Sequence, residues 1–164
     1  MMRRALSRGS EVFIDSNIFT YHLSGHKIFG ELCRDFLRRV ERKEYRGYVN
    51  NTVISEVLMN FLKSELLISK GIAPHKVARE IKRDPGLIEL VDFDVVTMLF
   101  DGLDLNTPFV EFGCVEVTML IEKYNLLPND ALHLATMKRY GITSIATNDG
   151  DFERVPWLHV WKPR

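Results

Sequence analysis

Along the chain, short apolar runs alternate with longer segments whose apolar residues recur every three or four positions. The short runs predict strands at residues 12–14, 47–49, 87–93, 142–147 and 158–161. After a first helix that begins near Asn17, the longer segments predict helices at residues 31–45, 53–69, 75–82, 94–103, 115–124 and 130–140. Strands that alternate with helices indicate an α/β sandwich with a mainly parallel central sheet.

Specific residues mark several of these boundaries. Gly141 follows the last long helix, where a glycine commonly ends a helix. Pro74 is suited to the first turn of the helix at 75–82. The sequence Asp84-Pro85-Gly86 predicts a turn before the run at 87–93.

Length and composition indicate a single globular domain. The chain has 164 residues, of which 46% are hydrophobic and 27% charged. Residues 1–10 contain three arginines and no apolar run follows, which predicts a flexible basic tail rather than a signal peptide. The domain then spans residues 11–164. No apolar run approaches the roughly 18 residues of a membrane span, so no membrane association is expected.

The cysteines and the charge balance narrow the function classes. Cys33 and Cys114 are far apart and form no CxxC, which predicts free buried thiols and a cytoplasmic protein. The formal net charge is zero, which argues against nucleic-acid binding by the whole surface. Arg34, Arg38 and Arg42 nevertheless form a basic stripe on one helix. Such a stripe is either a solvated face or a contact for an RNA backbone.

Four acidic residues occupy equivalent positions in the predicted fold. Asp15 ends the first strand, Glu56 lies early in a helix, Asp130 opens a helix, and Asp149 follows a strand with Asp151 two residues on. Strand carboxyl ends and the following helix N-termini share one edge of a parallel sheet, so we expect these acids to converge. Asp15 could alternatively be only a helix N-cap, and Glu56 could only complement a helix dipole.

Convergent carboxylates repel one another, and a hard divalent cation relieves that repulsion. Oxygen ligands suit Mg²⁺ or Mn²⁺, and the five scattered histidines have no zinc-ligand spacing. His133 could face the same edge, although a packed or surface histidine is the favoured interpretation. Such a cation can lower the pKa of a bound water and orient it for attack on a phosphodiester. The sequence contains neither a GxSxG nucleophile motif nor a glycine-rich phosphate loop.

Four segments resemble, in order, the signature segments of PIN-domain nucleases. They are IDSNI at 14–18, ISEV at 54–57, NDALHLAT at 129–136 and ATNDGDF at 146–152. The resemblance extends from Val12 to the C-terminus. It implies a three-layer α/β/α domain and a Mg²⁺- or Mn²⁺-dependent ribonuclease that hydrolyses single-stranded RNA and leaves a 5′-phosphate and a 3′-hydroxyl.

The same resemblance assigns roles to individual residues. Asp15, Glu56 and Asp130 would be the core metal-binding acids, with Asp149 as the fourth. Asp151 matches a second acid in the last segment, and the order of these two stays open. Polar side chains that support the acids are expected at Asn17 and Thr147.

The size of the chain is closest to the toxin of a VapBC-type toxin–antitoxin pair. Such toxins form homodimers and are inhibited by a small antitoxin protein. Extra helical material at about residues 68–84 departs from the commonest pattern, so a stand-alone PIN protein in RNA processing is an alternative. A non-catalytic RNA-binding module and a DNA-directed flap nuclease or exonuclease are further hypotheses.

Overall fold

A four-stranded parallel sheet forms the centre of the computed structural model, which describes residues 6–164. The strands are β1 (Glu11–Ile14), β2 (Arg46–Tyr48), β3 (Ser144–Ala146) and β4 (His159–Trp161), in the order β2-β1-β3-β4. The helices that flank the sheet are α1 (Ser16–Leu23), α2 (Gly30–Glu41), α3 (Asn51–Lys70), α4 (Val77–Arg83), α5 (Asp94–Leu103), α6 (Cys114–Tyr124) and α7 (Pro128–Tyr140). The predicted α/β/α architecture is therefore confirmed.

Strand β1 is the most deeply buried element of the sheet. Val12, Phe13 and Ile14 are each 0% exposed. The strand pairs in parallel with β2 on one side and with β3 on the other, with Val12 opposite both Gly47 and Ser144. Parallel strands covered on both faces have continuous rather than alternating apolar residues, which explains the uninterrupted apolar run.

The direction of the chain through the sheet reverses next to β1. After β1 the chain moves outward to β2, and it later returns to the opposite side of β1 as β3. The gap between the carboxyl ends of β1 and β3 is therefore a topological switch point, where open α/β sheets bind their ligands. The Asp15 amide donates a 3.0 Å hydrogen bond to the Ala146 carbonyl and holds these two ends together.

Specific residues set the ends of α3 and α7, the helices that carry Glu56 and Asp130. The Asn50 side chain accepts a 3.0 Å hydrogen bond from the Val53 amide, so α3 begins at Asn51 rather than at residue 53. Helix α7 begins at Pro128, two residues earlier than predicted. It ends as expected at Gly141, whose φ of +69° is accessible to glycine at little cost.

The strand predicted at residues 87–93 is wrong. Residues Pro85–Leu90 form a short 3-10 helix, and other 3-10 helices lie at Pro74–Lys76 and Asp151–Arg154. The Asp84 carboxylate caps the 3-10 helix Pro85–Leu90 by accepting a 3.2 Å hydrogen bond from the Gly86 amide. Local turn chemistry therefore continues into the apolar run. Leu90 is 50% exposed, so this segment is not the buried strand that its composition suggested.

The N-terminal segment packs against the domain before β1. Leu6 is 8% exposed within the core, and the Gly9 amide donates a 2.7 Å hydrogen bond to the Glu44 carbonyl. The predicted flexible basic tail covered residues 1–10, and its first five residues lie outside the described part of the chain. Residues 6–10 are joined to the fold by these contacts.

Both cysteines are free thiols, but only Cys33 is buried. Cys114 is exposed at the start of α6, so the expectation of two buried thiols is wrong for this residue. Burial raises the pKa of the Cys33 thiol to about 12. Within residues 6–164, no helix has the length and apolar character needed to cross a membrane.

The basic stripe on α2 is partly neutralised by acids on the same helix. Arg34 pairs with Glu31, and Arg38 lies 3.5 Å from the Asp35 carboxylate. Both pairs join residues three positions apart on an exposed helix face. These contacts favour the solvated-face interpretation for Arg34 and Arg38.

Candidate metal centre

Asp15 lies at the end of β1 and is nearly inaccessible to solvent, with 5% of its surface exposed. One carboxylate oxygen accepts a 2.6 Å hydrogen bond from the Ser16 amide, so Asp15 caps α1. The other oxygen accepts from the Thr147 hydroxyl and the Asn17 amide group, each at 2.5 Å. Burial raises the pKa of Asp15 despite these hydrogen bonds, and the nearby Glu56 charge raises it further. Asp15 is therefore both the N-cap of α1 and an acid at the switch point between β1 and β3.

Asn17 and Thr147 connect the ends of β1 and β3. The Asn17 amide group also donates to the Thr147 hydroxyl at 3.0 Å, and its carbonyl oxygen accepts from the Asn148 amide at 3.1 Å. The Thr147 hydroxyl accepts a 2.9 Å hydrogen bond from the Asp149 amide. This network fixes the Asp15 carboxylate relative to the loop that carries Asp149.

Glu56 projects from α3 towards the same edge of the sheet and is partly buried. Its Oε1 accepts a 2.7 Å hydrogen bond from Asn129, at the start of α7. Its Oε2 lies 3.4 Å from His133 Nε2. Burial raises the pKa of Glu56, but the adjacent imidazole and the hydrogen bond from Asn129 outweigh it, so the pKa is lowered overall. The Asn129 contact was not anticipated, although Asn129 lies within the NDALHLAT segment.

His133 is both packed and directed at the acids. It is 0% exposed, and its ring lies 5.3 Å from the Phe13 ring. Nδ1 has no hydrogen-bond partner among the described residues, whereas Nε2 faces the Glu56 carboxylate. Its position three residues after Asp130 was the sequence signal for this placement, since residues three apart share a helix face.

Asp130 lies in the first turn of α7, where its carboxylate has a raised pKa of about 6. Burial is the largest cause, and the charges of Asp149, Asp15 and Glu56 add to it. Beyond the effect of burial, the raised pKa therefore reflects repulsion from acids that come from separate parts of the sequence.

Asp149 and Asp151 lie in the loop after β3 and have different partners. Asp149 Oδ1 accepts a 2.8 Å hydrogen bond from the Asp151 amide. Asp151 Oδ1 accepts one of 2.7 Å from Arg154, so its charge is compensated by a guanidinium group. The two acids, which the sequence could not rank, thus differ in their electrostatic environment.

The side chains form two adjacent groups of possible metal ligands. Asp15, Glu56 and His133 each offer a donor atom within 4.8 Å of the others, and Asp130, Asp149 and Asp151 do the same. Carboxylate oxygens are the ligands that Mg²⁺ and Mn²⁺ prefer, and a cation would relieve the repulsion that raises the pKa of Asp130. The His133 imidazole adds a nitrogen donor to the first group. The residues therefore fit a divalent cation.

Comparison with known proteins agrees with this arrangement. Residues 12–158 match the family model of the PIN domain. Ribonuclease VapC2 of Methanocaldococcus jannaschii is 37% identical over 162 residues, which cover 97% of this chain and 98% of the relative. Ribonuclease VapC6 of the same organism is 28% identical, with coverage of 93% and 97%. The family match includes β1, the acidic residues and the loop after β3, and the chain belongs to the PIN domain family.

Proposed function

We propose that this protein is a metal-dependent endoribonuclease that hydrolyses single-stranded RNA. The observation that carries the proposal is the meeting of two carboxylate-containing ligand groups at the switch point between β1 and β3. The names of the two VapC relatives support ribonuclease activity. Cleavage would leave a 5′-phosphate and a 3′-hydroxyl.

In this proposal Asp15, Glu56, Asp130 and Asp149 are the catalytic acids, and Asp151 helps them to hold Mg²⁺ or Mn²⁺. A cation held by these acids would supply a water of lowered pKa and would stabilise negative charge on the phosphate. The protein's contribution is to hold the acids in a fixed arrangement. Thr147 and Asn17 orient Asp15, and Asn129 orients Glu56 through the 2.7 Å hydrogen bond.

The biological role that best fits the relatives is that of a toxin in a VapBC-type pair. The partners would be single-stranded RNA and a small antitoxin protein, and the toxin would act as a cytoplasmic homodimer. The extra helical material at residues 68–84 does not weaken this role, because the match to VapC2 covers 98% of that relative.

A stand-alone function in RNA processing is the alternative within the same chemistry. A non-catalytic RNA-binding module is the alternative that has no nuclease activity. The complete set of acids around the site disfavours that hypothesis. A small neighbouring reading frame whose product inhibits and co-purifies with this protein would support the toxin role. Full activity with no such inhibitor would support RNA processing.

The decisive experiment compares wild type, Asp15→Asn and Asp101→Asn on matched single-stranded RNA and DNA with Mn²⁺ and with EDTA. Asp101 is an exposed acid on α5 and controls for the loss of one charge. We expect RNA cleavage by wild type and by Asp101→Asn in Mn²⁺ only, and none by a folded Asp15→Asn. If the wild type binds RNA but does not cleave it, the proposed ribonuclease activity is excluded. A preference for DNA would instead support the flap-nuclease hypothesis.

A further inference from the structure

His133 is a buried polar side chain that faces an acid of the candidate metal centre. The side chain is 1% exposed, Nδ1 has no hydrogen-bond partner among the described residues, and Nε2 pairs with the Glu56 carboxylate. Buried polar groups in folded proteins nearly always have a polar partner. The partner of Nε2 is itself a candidate metal-binding carboxylate, so the imidazole is placed to bind the same ion.

The surroundings of the ring direct one nitrogen at the acids. Packing against Phe13 places the ring centroids 5.3 Å apart with an interplanar angle of 42°. Nε2 lies 3.4 Å from Glu56 Oε2 and is part of the ligand group that includes Asp15. Because α7 carries both Asp130 and His133, one helix contributes to both ligand groups.

We propose that His133 Nε2 is a metal ligand together with Asp15 and Glu56, so that this buried group binds Mn²⁺ in preference to Mg²⁺. The inference rests on the proposed metal-dependent function. Imidazole nitrogen favours transition metals, whereas Mg²⁺ favours oxygen ligands. The neighbouring group of Asp130, Asp149 and Asp151 offers oxygen alone. The two groups therefore differ in metal preference.

The direct test is pulsed electron paramagnetic resonance of Mn²⁺ bound to the full-length protein. We expect ¹⁴N modulation from a directly bound imidazole in wild type. Growth with ¹⁵N-labelled histidine converts that signal to a ¹⁵N signal without changing the protein. The signal is lost in His133→Gln and is kept in His75→Gln, which replaces an exposed histidine.

Calorimetric titration provides the second measurement. In His133→Gln we expect Mn²⁺ affinity to fall by at least about tenfold, because loss of even an outer-shell partner of a metal ligand typically costs about 10- to 100-fold. Mg²⁺ affinity should change much less, so the preference for Mn²⁺ is reduced. If this variant does not fold, each of the other histidines is replaced by Gln in turn. A ¹⁵N signal that persists in all of these variants comes from His133. The other histidines are His22, His26, His75 and His159.

The outcomes separate this inference from the proposed function. One outcome is that Mn²⁺ binds the wild type, is lost in Asp15→Asn and shows no nitrogen modulation. That result overturns the role of His133 as a ligand and leaves the proposed metal-dependent nuclease intact. A histidine signal that persists in His133→Gln also overturns it. Absence of any Mn²⁺ or Mg²⁺ binding to wild type overturns both.

Discussion

The Thr147 hydroxyl donates a 2.5 Å hydrogen bond to Asp15 Oδ2 and thereby joins the ends of β1 and β3 at the candidate metal centre. The Thr147 hydroxyl oxygen also accepts hydrogen bonds from the Asn17 side-chain amide and from the Asp149 backbone amide. Thr147 is 0% exposed, so these contacts are made away from bulk solvent.

Thr147→Val retains the shape of the side chain and removes the hydroxyl. We expect a loss of about 1–3 kcal/mol in the free energy of unfolding, because buried polar partners are left unsatisfied. Metal-dependent RNA cleavage should fall as well, since Asp15 is no longer held in place. Urea unfolding and a cleavage assay measure the two effects. Thr147→Ser keeps the hydroxyl and should recover most of both, and a Val variant as active as wild type would contradict the positioning role.

Asp130 makes the stability of the metal-free protein depend on pH. Its pKa is about 6 in the folded state, against an ordinary value of 3.8. The folded state therefore binds a proton more tightly than the unfolded chain. The contribution of Asp130 to stability is most favourable below pH 3.8 and is lost as pH rises through 6.

Asp130→Asn should consequently be more stable than wild type at pH 8 in EDTA and similar to it near pH 4. We expect a difference of about 1 kcal/mol at pH 8, because this half-buried site is partly screened by solvent. Thermal melts should show this as roughly 2–4 °C. Asp101→Asn is the control for a surface acid. A difference in stability that is the same at both pH values would contradict the raised pKa of Asp130.

Asp149 and Asp151 should differ in their importance for activity. The Asp151 carboxylate is already paired with Arg154 at 2.7 Å, so part of its charge is unavailable to a cation. We expect Asp149→Asn to lower Mn²⁺-dependent cleavage by about a hundredfold and Asp151→Asn by about tenfold. Initial rates at several Mn²⁺ concentrations separate weaker metal binding from slower chemistry. The reverse ranking would make Asp151 the fourth catalytic acid.

Asn50 stabilises the start of the helix that carries Glu56. It is 7% exposed, accepts a hydrogen bond from Val53 and donates one of 3.0 Å to the Thr136 hydroxyl. Asn50→Ala should cost about 2 kcal/mol in unfolding free energy, since both the cap and a buried contact are lost. The neighbouring exposed Asn51 provides the matched variant, and Asn51→Ala should change stability little. Equal effects of the two substitutions in urea unfolding would show that the cap is unimportant.

Local sequence determined most of the elements and the identity of the acids. The apolar run at 12–14 specified the central strand because a parallel strand covered on both faces needs apolar residues at every position. Gly141 specified the end of α7 because few other residues adopt its positive φ without strain. The positions of Asp15, Glu56, Asp130 and Asp149 at strand ends and helix starts were sufficient to predict that they lie together.

The run at 87–93 has the composition of a strand, but the local Asp-Pro-Gly turn before it continues as a 3-10 helix.

Tertiary contacts decided what the local pattern left open. The hydrogen bond from Asn129 to Glu56 and the approach of His133 to Glu56 depend on which side chains of α3 and α7 face each other. Periodicity encodes the face on which a residue lies, whereas its partner on the opposite element is fixed only when the chain packs. The sequence by itself therefore predicted which acids lie together, and the packing of α3 against α7 determined the partners of Glu56.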